Sequence, residues 1–472
     1  MPFYFLYLAG YLKKEGFSCG IFNEPVKDEG DYIKAVLEHI KTIVPRFVGL
    51  ASFVTDYEQT LTLAERIKRE TNIPVIVGNA HPSICPEDFI YPSSPFDIAV
   101  LGEGEITLKE ILAGNPLDEI HGIAYQMNGC MKITEKREVM DLKDCGMPAY
   151  HKINIEWYTR PTKYIISRIP ASVAVIYTGR GCPFKCVFCA ANTVWQANKY
   201  TNHRLVRKRP IEHVIEELTL LEKCHGFDFF CILDDTFGIT ADEVREFCLA
   251  YKRSGLTMLW MAETRVNGAI FRDELLLAMM KDAGCIQINL GVETGSPRLL
   301  KVIQKGITTE QIVNAFEMCR KHGIRTLANV LVNLPTETEE DVCMTEKLLD
   351  LIKPTFVSLG VTQPYPGTLC FEKYLQKPVE KAEYKNLNRI SPSSDYRMAA
   401  HVLPLHDLLY RLQFKYNVCD PVEMSVFQTD ARYWKKIIGS PRRLQYVWAF
   451  IRQMGVDSFS EYVWIKIRAW RS

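Results

Sequence analysis

Three cysteines stand close together at Cys182, Cys186 and Cys189, within the run YTGRGCPFKCVFCAANTVW. The CxxxCxxC spacing puts three thiolates on one loop, and Gly179 and Gly181 permit the tight turn that leads into it. Such a loop can ligate three irons of a 4Fe-4S cluster and leave the fourth iron without a protein ligand, whereas clusters that only carry electrons usually take four cysteines. An open iron is a place for a substrate, by the same logic that separates open catalytic metal sites from closed structural ones. A zinc site would need a fourth ligand, and its CxxC knuckles come in pairs; the chain has no second CxxC. Three unligated core cysteines are the bland alternative, but Pro183 and Lys185 do not suit a buried strand. Cys231, Cys248, Cys285 and Cys319 lie in apolar strand or helix patterns, where free cysteine packs as a small hydrophobe.

The triplet follows an apolar strand at Val173 to Tyr177 that opens an alternating series. Further strands are predicted near Phe229 to Leu233, Met258 to Ala262, Ile286 to Leu290, Thr326 to Leu331 and Phe356 to Val361, with helices between them. One helix starts with a capping box, Thr308 with Gln311, and stops at Gly323. Six such units make a partial parallel (β/α)6 barrel over residues 166–375, with its chemistry at the carboxyl ends of the strands. An earlier α/β series fills residues 1–135 and reads as a doubly wound parallel sheet, with helices Phe3 to Lys14, Tyr32 to Ile43, Tyr57 to Glu70 and Ile106 to Leu112. Its strands are Phe17 to Phe22, Phe47 to Ala51, Pro74 to Val77 and Asp97 to Leu101. Residues 136–165 lose this periodicity and read as a linker, and residues 376–472 turn helical.

The chain has 472 residues, enough for two or three domains, and its formal net charge of +1 argues against whole-chain nucleic-acid binding. Fifteen cysteines scattered through patterned segments fit a reducing compartment. No run of 18 apolar residues appears and Met1 to Tyr11 has no basic leader, so a soluble cytoplasmic protein is expected. From Arg432 to Ser472 nine Lys or Arg stand against two acids, with Trp434, Trp448, Trp464 and Trp470. A helical cap on the barrel explains that bias through snorkelling basic side chains; contact with the inner membrane surface, carrying a lipid-like or hydrophobic substrate, is the functional alternative.

CPFKCVFC, with Phe188 before the third cysteine, resembles the signature of the radical S-adenosylmethionine (SAM) superfamily. ILDDTF, ETRV, LGVETGS, KGIT and QPYPGT resemble, in order and spacing, blocks of the members that carry a cobalamin-binding domain. The resemblance implies a 4Fe-4S cluster on Cys182, Cys186 and Cys189, with SAM chelating the open iron and reductively cleaved to a 5'-deoxyadenosyl radical. It implies SAM contacts from Asp234 and Asp235 to the amino group, Arg265 to the carboxylate, Glu293 to the ribose and Phe188 to the adenine. An Asp pair after a strand is also a common helix cap, although Thr240 offers one nearby; Arg265 can equally be a surface ion pair, and Glu293 can brace a turn. NLPTET, Asn333 to Thr338, departs from the family's usual GLPGET, and Thr adopts the left-handed conformation only with difficulty.

Residues 1–135 resemble the cobalamin-binding domain of the same subgroup, with Ser52, Gly78, Asn79 and Gly102 at strand ends beside the corrin. Asn79 stands where a second glycine is usual, His81 reads as a loop residue, and the first strand of the sheet is missing. The function implied is methyl transfer from cobalamin to an unactivated carbon or phosphinate centre of a small molecule, with a flavodoxin or ferredoxin as low-potential electron donor. Oxidative cyclisation is the alternative within the family, and a cobalamin sensor or cluster carrier without turnover is the alternative outside it.

Overall fold

Apolar residues spaced for one helix face open the chain, and Phe3–Lys14 (α1) buries Leu6, Tyr7, Tyr11 and Leu12. This computed structural model describes residues 1–24, 28–161, 171–198, 206–375, 378–387, 396–401, 403–417 and 431–454. Glu29–Ile43 (α2) starts at Asp28, whose carboxylate accepts from the N–H groups of Gly30 and Asp31. Val48–Ala51 (β1), Val75–Gly78 (β2) and Ile98–Val100 (β3) pair in parallel. Tyr57–Thr71 (α3), Ala80–Ile84 (α4) and Glu105–Ala113 (α5) follow those strands in turn. Ile123–Met127 (β4) and Cys130–Ile133 (β5) add an antiparallel hairpin, giving the sheet order β1-β2-β3-β4-β5. Its turn is Asn128-Gly129, both with positive φ, the pair that two-residue hairpins favour.

The strand predicted over Phe17 to Phe22 does not form. A strand needs a neighbour for its N–H and C=O groups, and among the described residues no strand lies beyond β1. Phe17 and Cys19 pack instead beside α1, and Ile21 meets the core of the second sheet.

That second sheet contains Val173–Ile176 (β6) and, after the short pair Gly179–Arg180 (β7) and Arg207–Lys208 (β8), the strands Phe229–Ile232 (β9), Leu259–Thr264 (β10), Cys285–Glu293 (β11), Arg325–Val332 (β12) and Phe356–Val361 (β13). Ala191–Gln196 (α6) lies between β7 and β8, and Ile211–Thr219 (α7), Ala241–Arg253 (α8) and Glu274–Asp282 (α9) precede β9, β10 and β11. Pro297–Val302 (α10) and Thr309–Lys321 (α11) lead to β12, and Glu339–Ile352 (α12) to β13. All six long strands are parallel, in the order β13-β12-β11-β10-β9-β6, so neighbours in sequence are neighbours in space and the sheet is a partial barrel. Alternate residues, Ile176, Phe230, Trp260, Ile288 and Val330, meet the helices through Val214, Phe247, Leu277, Phe316 and Leu349. Thr240, Thr308 and Thr338 cap α8, α11 and α12, and Thr308 forms the expected capping box with Gln311.

After Leu369–Lys373 (α13), Leu405–Asn417 (α14) packs against β13. Ala431–Gly439 (α15) and Arg443–Met454 (α16) are fastened elsewhere. Ser440 and Tyr446 donate to the Asp228 carboxylate, the Tyr446 hydroxyl accepts from Ser172 N–H, and Arg442 donates to the carbonyls of His225 and Gly226. Ser172 and Asp228 precede β6 and β9, so α15 and α16 cover the amino ends of the barrel strands, opposite the cysteine loop. Trp448 is exposed there, while Trp464 and Trp470 lie outside the described residues. Among the described residues no helix is long and apolar enough to cross a membrane.

The first helix is tied to the barrel by a buried charge. Tyr7 and Tyr150 donate to Glu217 Oε1 at 2.7 and 2.6 Å, and Arg209 pairs with Glu217 Oε2 at 2.6 Å with both side chains 1% exposed or less. Removing one partner of such a pair strands the other in a low dielectric. Glu217→Ala is therefore expected to cost about 3–5 kcal/mol, read as a fall in the urea midpoint, whereas Glu70→Ala on the surface moves it little.

Candidate functional site

Both ends of the cysteine loop are held by the aspartates that follow β9. Asp234 is buried and accepts from Thr178 N–H at 2.6 Å, Thr178 Oγ1 at 2.5 Å and Gly179 N–H at 3.1 Å. Burial pushes its carboxyl above the usual range, against the pull of Lys208 and these donors. Asp235 accepts from Gly181 N–H at 2.8 Å and from the Trp195 indole at 3.0 Å, and its side chain faces solvent. Neither caps a helix, since Thr240 does that for α8.

The three thiols are partly buried. Burial pushes Cys182 up and Cys189 up to about 11, and negative charge on the neighbouring thiols and on Asp235 pushes the same way. Three mutually repelling sulfurs on one loop match a bound cationic centre, which supplies the missing countercharge. Arg265 is 6% exposed rather than on the surface; its Nη1 donates to Cys186 Sγ at 3.6 Å and its guanidinium lies 3.6 Å from the Phe184 ring centre.

Glu293 ends β11 with φ 62°, a left-handed conformation rare outside glycine, and Lys305 Nζ donates to its Oε1 at 2.5 Å. The same ammonium lies 5.9 Å from the Phe188 ring centre, so Glu293, Lys305 and Phe188 share one patch. A Cβ at Gly291 would lie 2.6 Å from Lys305 Nζ and 2.8 Å from Glu293 Oε1, so a side chain there would displace this pair. Lys305 opens KGIT; its pairing with Glu293 across 12 residues is the part sequence spacing does not reveal.

The NLPTET run takes the glycine-like geometry without the glycines: φ is 62° at Asn333 and 61° at Thr336. The Asn333 amide offsets this by donating to Thr362 O and Tyr396 O and accepting from the N–H groups of Met398 and Ala399. Thr336 N–H donates to Met398 O, and His401 bonds Glu337 at 3.1 Å. Residues 396–401 are thereby stitched to the carboxyl end of β12.

In the first sheet the loops after β1, β2 and β3 are tied together. Ser52 N–H donates to Gly78 O, His81 N–H to Ser52 O, and Gly102 N–H to Ser83 Oγ. Asn79 holds φ 90° and ψ −161°, a region almost confined to glycine, and its side chain folds back onto Ala80 N–H. His81 belongs to α4 rather than to a loop; it is fully buried against Tyr57, Phe89 and Tyr384, with Nε2 2.9 Å from Asp88. That closes the imidazole off from any ligand beyond the strand ends.

This edge faces the cysteine loop. A Cβ at Gly102 would collide with the Asn198 amide, and Glu103 N–H donates to Asn198 Oδ1. Glu103 accepts from Arg180 and Arg207 at 2.8 Å each, and Glu105 accepts from Arg180 at 2.6 Å. Burial works against ionisation of Glu103, and the two guanidinium groups still hold its carboxyl below the usual range. Thr193 on α6 donates to Gly367 O, and a Cβ at Gly367 would strike Ile84 of α4. Glu103, Arg180 and Arg207 form a cross-domain pairing that no local motif signals.

Two α/β sheets, one mixed and one parallel, with the ligand edge of the first turned toward a three-cysteine loop of the second, define a class of two-cofactor enzyme. The Radical SAM superfamily model matches residues 176–349 and the B12 binding domain model matches residues 2–112. An uncharacterized methyltransferase of Pyrococcus horikoshii is 31% identical over 339 residues, 71% of this chain and 70% of that one. The anaerobic magnesium-protoporphyrin IX monomethyl ester cyclase of Rubrivivax gelatinosus is 28% identical over 404 residues, 83% of this chain and 69% of that one. The radical SAM methyltransferase TsrM of Kitasatospora setae has the same fold, with TM-score 0.67, 19% identity, and coverage of 89% of this chain and 86% of that one. The chain belongs to the radical SAM superfamily and carries a B12 binding domain.

Asn333→Gly, which keeps the backbone geometry and deletes four side-chain hydrogen bonds at about 0.5–1.5 kcal/mol each, is expected to free residues 396–401. Amide exchange at Met398 and Ala399 should quicken by tenfold or more while exchange in β11 stays unchanged, roughly 1.4 kcal/mol being a factor of ten.

Proposed function

We propose that this protein is a cobalamin-dependent radical SAM methyltransferase acting on an unactivated carbon or phosphinate centre of a small molecule. The observation that carries the proposal is the convergence at α4 and α6: the strand ends of the first sheet and the cysteine loop of the second face each other through Ile84, Thr193, Gly367 and the Glu103 ion pairs. When bound, the reduced cluster supplies the electron that cleaves SAM to methionine and a 5'-deoxyadenosyl radical, and cobalamin supplies the methyl group.

Cys182, Cys186 and Cys189 hold the cluster, and Arg265 moderates the charge on Cys186. Asp234 keeps the Thr178–Gly179 turn in place, leaving the exposed carboxylate of Asp235 for the SAM amino group. Glu293, oriented by Lys305, receives the ribose hydroxyls, and Phe188 lies against the adenine. Ser52, Gly78, Asn79 and Gly102 border the corrin, where small side chains let a ligand approach the backbone. The electron comes from a low-potential flavodoxin or ferredoxin. The Rubrivivax relative is the reason to keep oxidative cyclisation as a second reading.

The test is anaerobic reconstitution with iron, sulfide and hydroxocobalamin, reduction with dithionite or a low-potential flavodoxin in the presence of SAM labelled as CD3, and mass spectrometry. Methyl transfer predicts both 5'-deoxyadenosine and cobalamin carrying CD3; 5'-deoxyadenosine without label on cobalamin favours cyclisation. A fully clustered protein that forms neither would make it a sensor or carrier. Glu293→Ala is expected to retain the iron and weaken SAM binding roughly tenfold or more, since hydrogen bonds to a charged acceptor are worth about 1.5–3 kcal/mol. The triple alanine variant at Cys182, Cys186 and Cys189 should lose the iron.

A further inference from the structure

The basic, aromatic run near the carboxyl terminus takes no part in the site described above, and its two helices have one face settled and one open. On α16 the buried Tyr446 turns inward, donating to Asp228 and accepting from Ser172 N–H. Leu444, Val447 and Trp448 stand at i, i+3 and i+4, so they form one stripe on the side of the helix away from Tyr446. Leu444 is 73% exposed, Trp448 is 63% exposed, and Val447 is exposed between them. A helix that packs on a core through one face ordinarily shows water a polar one. This helix shows leucine, valine and tryptophan. The preceding helix α15 is alike: Ile437 is buried, while Lys435 and Ile438, three residues apart, are exposed.

The charge around this face has one sign. Residues 431–454 hold six Lys or Arg and no Asp or Glu, in a chain whose net charge is +1. Lys435 and Arg443 are exposed and pair with no carboxylate among the described residues. Arg442 donates to the carbonyls of His225 and Gly226, which carry no countercharge. The acids that these helices do meet are already engaged. Glu222 lies 3.8 Å from Lys436 and accepts from Thr257, and Asp228 is buried beneath Ser440 and Tyr446.

We propose that the outward face of α16, with Lys435 and Ile438 of α15, docks on an anionic lipid bilayer. Leu444, Val447 and Trp448 enter the boundary between headgroups and acyl chains, and the surrounding cations meet lipid phosphates. The contact is peripheral, since no described helix is long and apolar enough to cross a membrane. Because α15 and α16 cover the end of the barrel opposite the cysteine loop, the face is an anchor and not an entrance for substrate. This inference stands apart from the methyltransferase reading and does not need it.

The test is flotation of the full-length, cluster-reconstituted protein with extruded vesicles of phosphatidylcholine, alone or with about one third phosphatidylglycerol. Partitioning onto the anionic vesicles is expected to exceed that onto neutral ones roughly tenfold or more, and to fall in about 1 M salt, where the screening length drops to roughly 3 Å. Lys435→Gln combined with Arg443→Gln should remove most of that preference. Leu444→Gln combined with Trp448→Gln should abolish flotation and leave the melting temperature unchanged, because both side chains are exposed. Brominated lipids locate the face: they should quench wild-type fluorescence and quench Trp448→Phe less, although that variant still floats. Flotation with equal quenching in Trp448→Phe means that another surface meets the bilayer and overturns the proposal, as do absence of flotation and equal binding to neutral vesicles. A lower melting temperature in Leu444→Gln with Trp448→Gln overturns it too, since the stripe would then be packed against the chain itself. So does a dimer in sedimentation velocity that this double variant dissolves, which would make the face an interface between two copies.

Discussion

A carboxylate buried between two domains has to be paired, and the pairing of Glu103 decides where the cysteines lie. Its partners Arg180 and Arg207 flank the cysteine loop on β7 and β8, and Arg180 is two residues before Cys182. Glu105 shares Arg180, and Asn198 takes the Glu103 N–H from the far end of the loop. Each charge left alone in this interface would carry its full desolvation cost, so the arrangement has few lower-energy alternatives. These ion pairs fasten the first sheet to the cysteine loop. A transfer between two bound cofactors needs that, because misplacement by an ångström is enough to lose much of the benefit of proximity.

Among the described residues, four of the ten non-glycine positions with positive φ lie on the same side. Asn79, Glu293, Asn333 and Thr336 all follow or end parallel strands and all have positive φ. None is glycine, and each is held by bonds from elsewhere: Ser83 to Asn79, Lys305 to Glu293, Met398 and Ala399 to Asn333, Arg298 to Thr336. Backbone strain of this kind persists only where surrounding contacts over-determine it, and it gathers where a side chain must point at a ligand.

Much of this was legible from residue type and spacing. The six barrel strands follow from alternating apolar runs, and the cysteine triplet and capping threonines are local patterns that need no partner to be recognised. Pairings between distant residues are another matter: Glu103 with Arg180 spans 77 residues and Asp234 with Thr178 spans 56. The aspartates were legible as site residues, but their grip on the loop backbone was not. Phe17 to Phe22 has a strand's composition and no strand partner, and composition cannot report the partner. The β4–β5 hairpin is the opposite case, since Asn128-Gly129 is a strong local signal between two weakly alternating strands. The basic, aromatic carboxyl-terminal bias marked a helical cap but not the end of the barrel it covers.

That last point bears on selectivity. With α15 and α16 at the amino ends of the strands, they cannot wall the chamber above the cysteines. Among the described residues the segment placed to do so is 396–401, and it is held there by Asn333, which stands where the family signature usually has a glycine. Glycine would adopt φ 62° freely and offer nothing to bind; asparagine accepts the strain and returns four hydrogen bonds to Thr362, Tyr396, Met398 and Ala399. Glu337 adds His401 and the N–H groups of Ala400 and His401, drawing the segment across the end of β12. Met398 consequently packs with Val187 of the cysteine loop and with Leu299, Leu331 and Cys370. One residue at a backbone-permissive position thus brings a distant stretch of chain into contact with the cysteine loop.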